Sequence, residues 1–235
     1  MEKTPSRKPS RYSEELIQDC LLTMESGDIE DLFQIIPRLG VLRDPRFHEP
    51  LILMLSQKDA KRCEFAAYAM GAMGDHEFLG PLKQAFLQAR KMKGFGAQDF
   101  LIAVIEAIGA IGDDAAVDFF LPILKDSDTS APVRLLKWIV ESLGAIAQQG
   151  GTRSIEALLE TTEHRNPELR AHALSELSVA FWHRPNEIPE PTVKRIHALT
   201  RDKNPLVAES ALSALQSLAD VGCRRAEKLF TSSNG

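Results

Sequence analysis

Apolar side chains along this 235-residue chain return every three or four positions instead of alternating, which is the signature of helices with one buried face. Leu135, Ile139, Val140, Leu143 and Ile146 make one such stripe. The stripes come in pairs. Each pair contains a Leu-Gly or similar dipeptide, usually followed three residues later by a second small residue. The dipeptides are Leu39-Gly40, Met70-Gly71, Ile108-Gly109, Leu143-Gly144, Leu177-Ser178 and Leu215-Gln216, spaced 31, 38, 35, 34 and 38 residues apart. A period in this range predicts stacked helical hairpins, none of which can bury its apolar face alone.

Local signals set the boundaries. Asn166-Pro167 and Asn204-Pro205 stand 38 residues apart, and each reads as an N-cap followed by proline at the first helical position. Ala131-Pro132-Val133-Arg134 opens a helix in the preceding repeat. The pattern predicts an N-terminal capping helix from Ser13 to Glu25 and six hairpins at about 28–56, 59–92, 97–126, 131–162, 166–202 and 204–230. Residues 1–12 read as a basic flexible tail with Lys3, Arg7, Lys8 and Arg11, and 231–235 as a disordered C-terminal tail. Glycine inside a helix costs about 0.5 to 1 kcal/mol relative to alanine. Its recurrence therefore implies a repeated packing need, expected where the two helices of one hairpin cross.

Composition narrows the class. Aromatic residues are 6% of the chain and Leu and Ala recur throughout, which favours helices over sheet. A formal net charge of −5 withholds the positive field that phosphate binding requires. Cys20, Cys63 and Cys223 form no CxxC motif, and an odd number of scattered cysteines suits a reducing compartment, so the expected location is cytoplasmic. No secretory h-region follows the N-terminal charges, and no apolar run is long enough to cross a bilayer.

Ala72-Met73-Gly74-Asp75 and Ala110-Ile111-Gly112-Asp113, with Pro-x-Val/Leu-Arg helix openings, resemble the HEAT-like repeats of the phycobilisome-lyase type. The resemblance extends from about Asp28 to Phe230. It implies an all-α, right-handed α-α superhelix, an α-solenoid whose second helices line a concave face.

Candidate chemistry is sparse. His48-Glu49 and His76-Glu77 invite comparison with HEAT-like deoxyhypusine hydroxylases, which use four His-Glu pairs to hold two irons; two pairs do not complete that set. Asp75 reads instead as a helix cap, with Glu49 and Glu77 in helix first turns. No nucleophile elbow or Walker loop is present, and Gly94-Phe95-Gly96 lacks the context of a phosphate loop. The expectation is no catalytic residue, no metal and no cofactor.

Three features bear on binding. Arg90, Lys91 and Lys93 form a cationic end to a second helix. The fifth repeat replaces the short turn with Phe181-Trp182-His183-Arg184 and a loop carrying Pro185, Pro189 and Pro191, residue types enriched where partners dock. Trp138 is expected in the core, and Lys137 and Glu141 as an i, i+4 pair on a solvated face. The candidate partner-binding residues are therefore Trp182, His183, Arg184, Arg90, Lys91 and Lys93. The reading is a non-catalytic protein-binding scaffold; the alternatives are a subunit of a chromophore-lyase-like heterodimer and a HEAT-like nucleic-acid binder or DNA glycosylase-like protein.

Overall fold

The computed structural model describes residues 11–125 and 131–233 of the chain. Among them there is no strand. The helices are α1 (Arg11–Ser26), α2 (Ile29–Leu42), α3 (His48–Leu55), α4 (Ala60–Met73), α5 (Leu79–Ala89), α6 (Ala97–Ile111), α7 (Val117–Lys125), α8 (Val133–Gln148), α9 (Thr152–Thr161), α10 (Pro167–Ala180), α11 (Glu190–Leu199), α12 (Pro205–Asp220) and α13 (Arg224–Ser233). They form α1 and six hairpins, at the places the periodicity implies. Two ends differ. Helix α1 already includes Arg11 and Tyr12, and α13 runs through Ser233, so Thr231 to Ser233 are helical. The tail residues Lys3, Arg7 and Lys8 lie outside the described residues.

The turns follow from local chemistry. Asn166 and Asn204 accept from the backbone N–H of Glu168 at 2.8 Å and of Leu206 at 3.1 Å, which closes the first turns of α10 and α12. Gly74 and Gly112 take left-handed φ values of 67° and 74° and end α4 and α6. Arg43 holds the same place after α2 at φ 44°, a conformation a side chain adopts only at a cost. Each of these residues is followed by an aspartate in extended backbone and a single 3₁₀ turn, at Pro45–Phe47, His76–Phe78 and Asp114–Ala116. The turn drops Phe47, Phe78 and Ala116 into the core, fully buried. Each phenylalanine buried this way stabilises by about 1.5 to 3 kcal/mol.

The chain divides into two compact units, with the division inside α6 between Ala107 and Ile108. In unit 1, α1 packs on α2, α2 on α4, and α3 on α4. In unit 2 the first helices α8, α10 and α12 pack in succession; α9 and α13 pack on the first helix of their own hairpin, and α11 packs on α12 of the next. The expected stripe Leu135, Ile139, Val140, Leu143 and Ile146 is buried throughout.

The glycines serve a different contact from the one the repeat suggests. A Cβ on Gly40 would meet the Ala72 carbonyl oxygen of α4 at 3.0 Å, and one on Gly109 would meet Ser142 Oγ of α8 at 2.7 Å. A Cβ on Gly144 would overlap the Glu176 carboxylate of α10. These are approaches between first helices of successive hairpins, not crossings within a hairpin. The stacking of one repeat on the next sets the glycine period.

Candidate protein-binding surface

The α8–α10 and α10–α12 junctions of unit 2 are built differently. Between α8 and α10 the surface is filled with ionisable groups. Lys137 Nζ reaches Glu168 at 3.4 Å and His172 Nε2 meets Glu141 at 3.0 Å. The expected Lys137–Glu141 pair along α8 is thus replaced by two pairs that cross to α10. Glu176 lies over Gly144, and burial, with Glu141 nearby, pushes its carboxyl up to about 7. Burial also lowers the His172 imidazole below its usual value, against the pull of Glu141.

Between α10 and α12 small side chains leave a groove of about 540 Å³ floored by Ser178 and Ala214 and edged by Ser175, Ser210, Ser213 and Ser217. Trp182 and Leu206 stand at its rim, 52% and 46% exposed. A second depression of about 440 Å³ shares Ser175, Leu206 and Ser210 and extends to Lys137, Glu168 and His172. The groove is therefore continuous along the first helices. Arg170, largely buried, pins α10 to the entry of α12 by donating to Asp202 at 3.0 Å and to the His164 carbonyl at 3.0 Å.

A family model described as HEAT repeats matches residues 97–178. No curated protein matches the sequence. Among solved structures, the complex of CpcE and CpcF of phycocyanin lyase from Nostoc sp. PCC7120 is similar at 17% identity and TM-score 0.47, over 99% of this chain and 98% of that one. An engineered protein is similar at 18% identity and TM-score 0.43, over 91% and 98%. A designed armadillo repeat protein in complex with the peptide (KR)4 is similar at 13% identity and TM-score 0.40, over 89% and 100%.

The fifth hairpin, whose first helix lies largely within the matched segment, separates the candidate residues. Phe181 is core, whereas Trp182 and His183 are exposed. Arg184 turns inward: it donates to the Ala147 carbonyl at the end of α8 and to the Ala180 carbonyl at 3.4 Å, and lies over the Phe181 ring at 5.5 Å. It holds the long turn against α8, and of the three candidate residues here Trp182 and His183 are the exposed ones. Trp138 is half-buried, not core, with the Arg134 guanidinium 4.8 Å from its ring centre. In unit 1, α5 stops at Ala89, so Arg90, Lys91 and Lys93 lie exposed in the turn beyond it instead of prolonging the helix.

His48, Asp75 and Glu77, and several acidic residues of the later repeats, have packing partners. His48 faces Asp75 through Nε2 at 2.9 Å and Glu77 through Nδ1 at 3.2 Å, and its ring centre lies 4.5 Å from that of Phe78, the two rings tilted at 55°. This joins the first two hairpins and occupies both ring nitrogens. Asp75 sits at the cap position, but its carboxylate goes to His48 and makes no cap bond. Among the described residues, no group of three or more His, Cys, Asp and Glu is arranged to hold a metal. Asp114 reaches the next hairpin and accepts from the backbone N–H groups of Arg153 and Ser154, both at 3.1 Å, capping α9. Asp118 pairs with Arg153, and Glu160 with Lys125 at 2.7 Å. The three cysteines are buried and free. No helix among the described residues is long and apolar enough to cross a membrane.

The serines were legible and missed. Ser210, Ser213 and Ser217 recur at three- and four-residue steps on α12, a polar stripe of small side chains that a search for glycine and apolar positions passes over.

Proposed function

We propose that this chain is a non-catalytic cytoplasmic scaffold that binds a protein partner through the first-helix face of unit 2, with Trp182 as anchor. The observation that carries this reading is a tryptophan 52% exposed at the end of an open groove. Burying such a side chain on a partner is a common source of binding energy, and a repeat array offers extended surface without reactive groups. His183 extends the contact, and Arg184 positions the turn that carries both.

Capture from extracts of the native host tests the proposal. Trp182→Ala should leave melting nearly unchanged, since exposed positions usually shift stability within about 0.5 kcal/mol. It should lower partner recovery about tenfold or more. Equal recovery by the wild-type and Trp182→Ala chains overturns the assignment of Trp182.

A further inference from the structure

The charge around the groove says what kind of partner it takes. Lining residues contribute Glu168 and Glu209 against Lys137, which Glu168 already pairs. Glu141, at His172, and Glu176, over Gly144, add carboxyl groups along the adjacent junction. Glu209 is exposed on the α12 wall and has no cationic partner among the described residues. The floor of Ser178 and Ala214 has no long side chain to hold an incoming backbone away. Val179, Trp182 and Leu206 give it an apolar flank. A smaller groove in unit 1, about 330 Å³ between α3 and α5, has apolar and amide lining such as Ile52, Pro81 and Gln84 but no charged residue.

Resting on the protein-binding reading above, we infer that the α10–α12 groove receives a cationic amphipathic helix from the partner. Its apolar residues pack on Val179, Trp182 and Leu206, and its Lys or Arg residues face Glu209 and Glu168. Two features favour this occupant. Small residues along a groove let a helix axis come close, as helix packing requires. The excess of carboxylate draws positive charge and penalises an acidic segment.

The test uses the full chain and three synthetic 18-residue peptides of about equal helicity, followed by fluorescence anisotropy in about 0.1 M salt. One is an amphipathic Leu/Lys helix, one its Leu/Glu counterpart, and one a Leu/Lys peptide with the apolar periodicity scrambled. The amphipathic cationic peptide should bind at least tenfold more tightly than either control. Glu209→Lys should weaken it about fivefold or more, and Ser213→Leu, which fills the groove, should remove most binding. Glu30→Lys, on α2 of unit 1, should leave it within twofold. If Ser213→Leu fails to fold, Glu209→Lys still decides.

Equal binding of the three peptides, no binding, or equal loss in Glu30→Lys and Glu209→Lys overturns the inference. So does a concentration-dependent dimer that Ser213→Leu abolishes, because the groove would then belong to a second copy. If Trp182→Ala loses the native partner while the cationic peptide does not bind, the scaffold reading stands and the cationic-helix chemistry fails.

Discussion

The α8–α10 and α10–α12 junctions join the same kinds of helix in the same unit, yet one is closed and the other open. At the first, glycine at position 144 lets α10 approach closely, and the Glu176 side chain fills the remaining space. At the second, Ser178 stands where the four preceding repeats have glycine, and serines on both helices leave a groove. A repeat keeps a small residue at each junction for stacking. Where the neighbours of that position are also small and polar, stacking leaves a surface that can take a further segment of chain.

The strongest way to break this comparison is to release the strut that sets the second junction. Arg170→Ala removes a guanidinium that joins Asp202 and two carbonyls in the interior. Loss of one partner of such a pair should cost about 3 kcal/mol or more in urea denaturation. It should also loosen α12 against α10, seen as faster hydrogen exchange in α12. An unchanged midpoint would remove Arg170 from the account.

Adding the same side chain to each junction sharpens the contrast. Gly144→Leu must displace Glu176 and push against α10, so overpacking should cost about 1 to 3 kcal/mol. Ser213→Leu enters open space and should change stability within about 0.5 kcal/mol. Comparable losses from the two would mean that the junctions do not differ as described.

Glu176 gives the closed junction a pH dependence. Its folded-state value of about 7 lies above the unfolded 4.5, so the folded chain holds the proton more tightly. The stability this contributes is present below 4.5 and is lost as pH rises through about 7. Glu176→Gln should therefore raise stability at pH 8 by about 1 kcal/mol, a figure reduced for partial solvent screening, and have little effect at pH 4. Thermal melts across that range check the sign; a destabilised variant at pH 8 contradicts it.

Much of this fold could be read from the chain. The dipeptide period and the Asn-Pro starts placed all six hairpins, because capping and amphipathicity are local and survive without knowledge of neighbours. What failed to read was contact between hairpins. Lys137 and Glu141 look like partners along one helix, but each pairs across to α10. Asp75 looks like a cap and binds His48 instead. Trp138, expected in the core, lies half-buried beneath Arg134. Arg184 looks like a surface cation and is used to hold the end of α8. Apart from Arg134 and Trp138, which are neighbours on α8, the partners are 27 to 37 residues away in an adjacent repeat, and sequence separation gives no sign of them. Trp182 could be singled out because it interrupts the repeat pattern, and it is also the one large aromatic side chain at the groove rim.

The central claim is that the partner sits on the first helices of unit 2 and not on second helices. A photo-activated cross-linker placed at Ser213 on α12, and separately at Gln84 on α5, tests this in the native host, with adducts identified by mass spectrometry. Both positions are exposed, and each lines a groove. The account predicts a partner adduct from position 213, lost when Trp182 is changed to Ala, and none from position 84. An adduct from position 84 with none from position 213 would contradict it.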